Sequence, residues 1–194
     1  MELKYGDFCS GGGGMTIGAA AAGLTIVFGV EYEEKIAEVY RHNLGDHVLV
    51  ADILEMDMET MPYVDVCHMS PPCPSFSRAS TSSESETDIA IARNLARYIQ
   101  LKRPLVVTLE NVWQYRDSQS WATIRLTLDR CGYQVGIANV NMADYGVPQT
   151  RERMIVVARR DGGEVGLSPM THTGKDKSGL GVLPIFQDSM LPPW

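Results

Sequence analysis

The sequence predicts an α/β fold with a doubly wound sheet, and three observations carry that prediction. Short apolar runs alternate with segments of helical period along most of the 194 residues. A glycine-rich turn, Ser10-Gly11-Gly12-Gly13-Gly14, follows the first run, and Glu31 closes the second, 31 − 11 = 20 residues beyond Gly11. Polar or reactive residues then fall at the ends of successive runs, the edge where such a sheet binds ligands.

Taken in order, Leu3 to Cys9 reads as a strand entering the glycine turn. Met15 to Ala22 is an alanine-rich helix, with Gly23 as the residue just past its end. Thr25 to Val30 is a second buried strand ending at Glu31, and Tyr32 to Asn43 an amphipathic helix. A strand, a glycine turn, a helix, a strand and a terminal acid form one βαβ unit of the nucleotide-binding kind. The third glycine of a dinucleotide fingerprint would fall at residue 16, where Thr16 stands. That disfavours NAD and leaves room for another nucleoside cofactor.

The alternation continues. His47 to Val50 is a third strand leading to Asp52-Ile53, and Val64 to Met69 a fourth. Ser77 to Asp88 is polar and without period, readable as a solvated linker or as a lid. Ile89 to Leu101 is a helix stopped before Pro104, and Leu105 to Leu109 a fifth strand that delivers Glu110-Asn111-Val112. Gly11, Glu31, Asp52, Cys73 and Glu110 are therefore expected to face one crevice. Ser118 to Cys131 is a helix closed by Gly132. Tyr133 to Asn141 and Arg153 to Ala158 are closing strands around a segment containing Arg151 and Arg153. The two arginines are expected to point to opposite faces, so that only one reaches a given ligand directly. Residues 161–194 are rich in Gly, Ser and Pro and read as an irregular extension after a domain of residues 1–160.

The stretch with most chemistry is Ser70-Pro71-Pro72-Cys73-Pro74-Ser75-Phe76-Ser77. Pro71 and Pro72 fix their own φ, and Pro74 pushes Cys73 towards an extended conformation. A cysteine can be a small core hydrophobe, but that role needs no proline frame. The frame and the polar loop after it point to a thiol presented in a defined direction.

Composition bounds the rest. The hydrophobic share of 44% and charged share of 21% are those of a globular protein, and no apolar run is long enough for a membrane span. The N-terminus lacks a charged-then-apolar signal pattern, so a cytoplasmic location is expected. Cysteines 9, 67, 73 and 131 show no Cys-x-x-Cys spacing, so neither a metal site nor a disulfide framework is expected. The net charge of −7 argues against a phosphate-gripping surface on this chain.

These motifs together resemble the cytosine-5 DNA methyltransferase family. Asp7-Phe8-Cys9-Ser10-Gly11-Gly12-Gly13-Gly14 is similar to its first motif, Pro71-Pro72-Cys73 to its catalytic Pro-Cys, and Glu110-Asn111-Val112 to its Glu-Asn-Val, 110 − 73 = 37 residues on. Tyr145 to Arg153 resembles its Gln-x-Arg-x-Arg segment. The resemblance covers about residues 3–160 and implies a Rossmann-like sheet of the S-adenosylmethionine-dependent methyltransferase type, mostly parallel with one antiparallel strand.

It also implies S-adenosylmethionine as methyl donor and a cytosine flipped out of DNA as acceptor. Cys73 would attack carbon 6, Glu110 would bind ring nitrogen 3 and the exocyclic amine, and Arg151 and Arg153 would orient the base. Cys9, Gly11, Gly13, Gly14, Glu31, Tyr32, Asp52, Ile53, Pro72 and Leu95 would line the cofactor site. Glu31 would take the ribose hydroxyls and Asp52 the adenine amine. Two departures stand out: Cys9 replaces the usual Phe of the first motif, and Pro74 the usual Gln after the nucleophile.

The family's target-recognition domain and last motifs have no counterpart in residues 161–194. The expectation is a catalytic subunit of a split methyltransferase of restriction-modification type, completed by a second polypeptide; a truncated fragment is the competing explanation. An RNA (tRNA) cytosine-5 methyltransferase, a non-catalytic regulatory subunit and, more remotely, a NAD-dependent oxidoreductase are the alternatives.

Overall fold

The computed structural model describes residues 2–72, 84–173 and 183–184. Seven strands form one sheet in the order β3-β2-β1-β4-β5-β7-β6. They are β1 (Lys4–Phe8), β2 (Thr25–Glu31), β3 (Val48–Val50), β4 (Val66–Met69), β5 (Val106–Asn111), β6 (Gln134–Asn141) and β7 (Glu152–Arg159). The first five pair in parallel, and β7 runs antiparallel between β5 and β6, so one strand is reversed, as expected. The strand order reverses between β1 and β4, the switch point at which a doubly wound sheet opens a crevice.

Among the described residues four α-helices flank the sheet: α1 (Gly14–Ala21), α2 (Glu34–Leu44), α3 (Glu86–Lys102) and α4 (Gln119–Arg130). One sheet face packs on α3 and α4. Phe8, Phe28, Val30, Cys67, Met69, Val107 and Leu109 project there, against Leu95, Tyr98, Ile99, Ile124 and Leu128. Phe8 centres an aromatic cluster, with ring centroids 5.2 Å from Phe28 and 4.9 Å from Tyr98 at edge-to-face angles. Each large apolar side chain buried here contributes about 1.5–3 kcal/mol of transfer free energy. The opposite face is more polar: alternation along β1 and β4 turns Tyr5, Asp7 and His68 to it.

The sequence places the start of the third helix at Ile89, but α3 begins at Glu86. The reason is a capping box. The Asp88 amide donates to Ser85 Oγ at 3.1 Å and the Ser85 amide to the Asp88 carboxylate at 3.2 Å. Just before it, the Glu84 carboxylate accepts from the Gln119 and Ser120 amides at 2.8 and 3.0 Å, satisfying the otherwise open N-terminus of α4. The end of the polar stretch is thus tied down; its residues 77–83 lie outside the described residues.

Beyond β7, residues 161–173 return to the turn before it. The Thr171 amide donates to Asp144 O at 3.0 Å and the Tyr145 hydroxyl to Ser168 O at 3.1 Å. A short pairing of β8 (His172–Thr173) with β9 (Leu183–Pro184) follows.

Candidate active site

A cleft of about 500 Å³ opens at the C-terminal ends of β1 to β4. Glu31 lines it and is 9% exposed. Its Oε2 accepts from the Gly11 amide and its Oε1 from the Glu33 amide, both at 2.9 Å. The glycine turn and the end of β2 are therefore joined through one carboxylate, and each oxygen keeps a further lone pair for a ligand hydroxyl. Asp52 also lines the cleft, its Oδ1 accepting from the Leu54 amide at 2.9 Å in a local turn.

The walls are largely apolar: Cys9, Val30, Ala51, Ile53, Leu54, Pro72 and Ile91, with Tyr32, Ser70 and Thr87. Cys9 adopts the left-handed conformation (φ 59°). Burial first, then the charges of Glu31 and Asp7, push its thiol up to about 12, so it stays neutral. Among the described residues no lysine or arginine lines the cleft. Three carboxylates, those of Glu31, Glu33 and Asp52, and apolar walls suit a nucleoside that presents hydroxyls and an amine; they do not suit a pyrophosphate.

Six of the ten expected cofactor residues line this cleft: Cys9, Glu31, Tyr32, Asp52, Ile53 and Pro72. Gly11 reaches it through its bond to Glu31. Gly14 opens helix α1 beside it. Gly13 serves packing: it sits at φ 90°, and a Cβ there would run into Leu44 and Tyr40 of α2. Leu95 requires a correction. It is fully buried in the core between α3 and the sheet, one turn behind the residue that does reach the cleft, Ile91.

Thr16 explains the missing fingerprint glycine. Its hydroxyl donates to Asp7 Oδ2 at 2.8 Å, beneath the glycine turn. Burial raises the Asp7 carboxyl to about 7.

Glu110 stands further along the same sheet edge and does not line the cleft, so the single crevice is two adjoining regions. Arg153 Nε lies 2.8 Å and Arg151 Nη2 3.6 Å from Glu110 Oε1. Both arginines thus reach one carboxylate, contrary to the expectation that they diverge. Side chains alternate along a strand with period two, so residues 151 and 153 share a face, and the pairing of Glu110 with Ile155 turns that face to Glu110. Asn141 braces the approach, its Oδ1 accepting from the Arg151 amide at 3.1 Å.

Between the two regions runs the Ser70-Pro71-Pro72 segment. Asn111 Nδ2 donates to Pro71 O at 3.0 Å, and Pro72 lines the cofactor-type cleft. Cys73 follows directly in the chain and lies outside the described residues. Sequence reasoning assigned no role to Asn111, Ser70, Thr87 or Ile91. For Ser70 a signal existed, its place one residue past the end of β4; for Thr87 and Ile91 none did, because they come from a helix that crosses above the sheet edge. Among the described residues no cluster of His, Cys, Asp and Glu could hold a metal ion, and no helix is long and apolar enough to cross a membrane.

Comparison with known proteins agrees with this architecture. The model of the C-5 cytosine-specific DNA methylase family matches residues 3–185. The type II methyltransferase M1.HphI of Haemophilus parahaemolyticus is 32% identical over 190 residues, covering 89% of this chain and 50% of that protein. M.HhaI from the same organism is 28% identical over 163 residues, covering 82% and 50%. The chain therefore spans about half the length of the curated relatives it matches. Among solved structures, the S. pombe Dnmt2 methyltransferase superposes with a TM-score of 0.71 at 22% identity, over 85% of this chain and 52% of that one. A putative DNA modification methyltransferase encoded within an E. coli prophage gives 0.70 at 21%, over 86% and 49%. S-adenosylmethionine is the cofactor of this family, and the donor set of the cleft fits its adenosine part. A family model spanning nearly the whole chain, with its motifs gathered on one sheet edge, shows that this protein belongs to the C-5 cytosine-specific DNA methylases.

Proposed function

We propose that this chain transfers a methyl group from S-adenosylmethionine to carbon 5 of a cytosine in DNA. The observation that carries the reading is the convergence of Arg151 and Arg153 on Glu110, beside the Asn111–Pro71 bond that roots the Pro-Cys segment. Bound in the cleft, S-adenosylmethionine supplies an electrophilic methyl group. Glu31 accepts the ribose hydroxyls with the lone pairs that the Gly11 and Glu33 amides leave open, and Asp52 accepts from the adenine amine.

Cys73 is the nucleophile. Its sulfur bonds to carbon 6 of the flipped cytosine, which makes carbon 5 electron-rich enough to take the methyl group. Loss of the carbon 5 proton then expels the thiolate and restores the ring. Glu110 holds nitrogen 3 and the exocyclic amine, while Arg153 and Arg151 fix the carboxylate and face the base carbonyl.

DNA is favoured over RNA as the substrate by the type II relatives, although a Dnmt2 methyltransferase shares the fold. With a net charge of −7, this chain has little with which to hold phosphates, which supports a second polypeptide that carries the target-recognition surface. The test is methyl transfer from labelled donor, with duplex DNA and tRNA offered separately, to the chain alone and with its co-purifying partner. Labelled cytosine in DNA, lost in Cys73→Ser while donor binding persists, is the expected result. Transfer by Cys73→Ser would overturn the covalent mechanism, transfer to tRNA alone the substrate, and robust sequence-specific transfer by the isolated chain the partner requirement.

A further inference from the structure

The polar face of the sheet carries a group that this chemistry does not use. His68 stands directly opposite Asp7 on β1 and Thr108 on β5, and it is 2% exposed. Both ring nitrogens are engaged: Nδ1 lies 2.8 Å from Thr108 Oγ1, and Nε2 lies 2.7 Å from Ser70 Oγ. Burial pushes the imidazole down to about 4, so near neutral pH it carries one N–H and one lone pair. Such a ring couples its neighbours. If Nδ1 donates to Thr108, Nε2 accepts from the Ser70 hydroxyl, and the other tautomer reverses both bonds.

Ser70 is where this coupling meets the site. Ser70 lines the cleft, and its amide donates to Phe8 O at 3.1 Å. The next carbonyl, of Pro71, accepts from Asn111. Prolines 71 and 72 have no N–H of their own, so the segment can be held only through carbonyls and flanking side chains. Three ties, from β1, β4 and β5, thus fix two consecutive residues where β4 gives way to the Pro-Cys segment. Mere space-filling would be served by an apolar side chain, without the desolvation cost of a buried imidazole.

We propose that His68 is a positioning residue, holding Ser70 in the cleft wall through its hydroxyl and thereby setting both the seat of the cofactor and the entry of the chain into Pro71-Pro72-Cys73. The inference rests on the methyltransferase reading for its consequence, not for the tie itself. The full chain, with its partner if one co-purifies, is compared as wild type, His68→Gln, His68→Asn, Ser70→Ala and the His68→Asn/Ser70→Ala double variant. A glutamine amide reaches the place of Nε2 and can still bond Ser70; an asparagine amide reaches only the place of Nδ1.

In calorimetry with S-adenosylmethionine, Kd should rise about tenfold in Ser70→Ala and in His68→Asn, the loss of one positioned hydrogen bond. The double variant should be no weaker than the weaker single, and His68→Gln should stay within about threefold of wild type. Equal losses in His68→Asn and His68→Gln, or losses that multiply in the double variant, would overturn the proposal. Should the His68 variants fail to fold, an unchanged Kd in Ser70→Ala overturns it alone. Nitrogen-15 spectra of the histidine rings judge the tie without any cofactor. A single neutral tautomer of His68 that shifts in Ser70→Ala supports the tie, and an unmoved ring refutes it. A wild-type chain that binds no S-adenosylmethionine would refute the methyltransferase reading and the cofactor half of this inference, leaving the spectra to judge the tie.

Discussion

Replacing Asp7 by asparagine should change how stability depends on pH. Asp7 is 1% exposed beneath the glycine turn, accepts from Thr16, and titrates at about 7 in the folded protein against 3.8 for the free side chain. The folded state therefore binds more protons than the unfolded chain between pH 4 and 7, and stability falls as pH rises through that window. From pH 5 to pH 8 the loss from this one group amounts to about 2–3 kcal/mol. His68 acts in the opposite sense. Its folded value, lowered to about 4 from 6.5, makes stability rise with pH up to about 6.5. Wild type alone would show only the balance of the two. The difference between wild type and Asp7→Asn cancels His68 and isolates the carboxylate. Urea unfolding at pH 5, 6, 7 and 8 should show the variant gaining about 2–3 kcal/mol on wild type across the series. Parallel curves would refute the claim that Asp7 is buried and titrates near neutrality.

Glu31→Gln should raise the Kd for S-adenosylmethionine about 10- to 100-fold, since an amide cannot accept from both the Gly11 and Glu33 N–H groups and still receive ribose hydroxyls; calorimetry decides it, and an unchanged Kd refutes it. Gly13→Ala should cost about 2–4 kcal/mol in denaturant unfolding, from its φ of 90° and the collision with Leu44 and Tyr40. Gly14→Ala, which meets nothing within 4 Å, should change stability by less than about 0.5 kcal/mol. Arg153→Ala should lower kcat by about 10²-fold and more than Arg151→Ala, because Arg153 is nearer Glu110 (2.8 against 3.6 Å) and less exposed; donor affinity should stay unchanged in both.

Much of the fold was legible in the residues. Each strand of the seven-stranded sheet was recognisable as a short apolar run, with boundaries shifted by only one or two residues because hydrophobic periodicity locates elements better than ends, whereas the two-residue strands β8 and β9 were read as irregular chain. The start of α3 was missed although Ser85-x-x-Asp88 is a readable box, because the surrounding serines and acids masked it as loop. Glu31 and Asp52 could be placed at the cleft from the sequence because strand-end acids in a βαβ unit gather at one sheet edge. Leu95 was misplaced because a helix position one turn off changes from wall to core without any change of residue type.

The order of elements, the motifs and the family they imply reside in the sequence alone, since local period, turn residues and reactive side chains are written residue by residue. The meeting of Arg151 and Arg153 on Glu110 was decided by the register of β5 against β7. The His68–Ser70–Thr108 chain was decided by a cross-strand pairing 40 residues apart. The charge states of Asp7 and His68 were decided by burial. These are distances through space and local dielectric, quantities that a linear order does not contain.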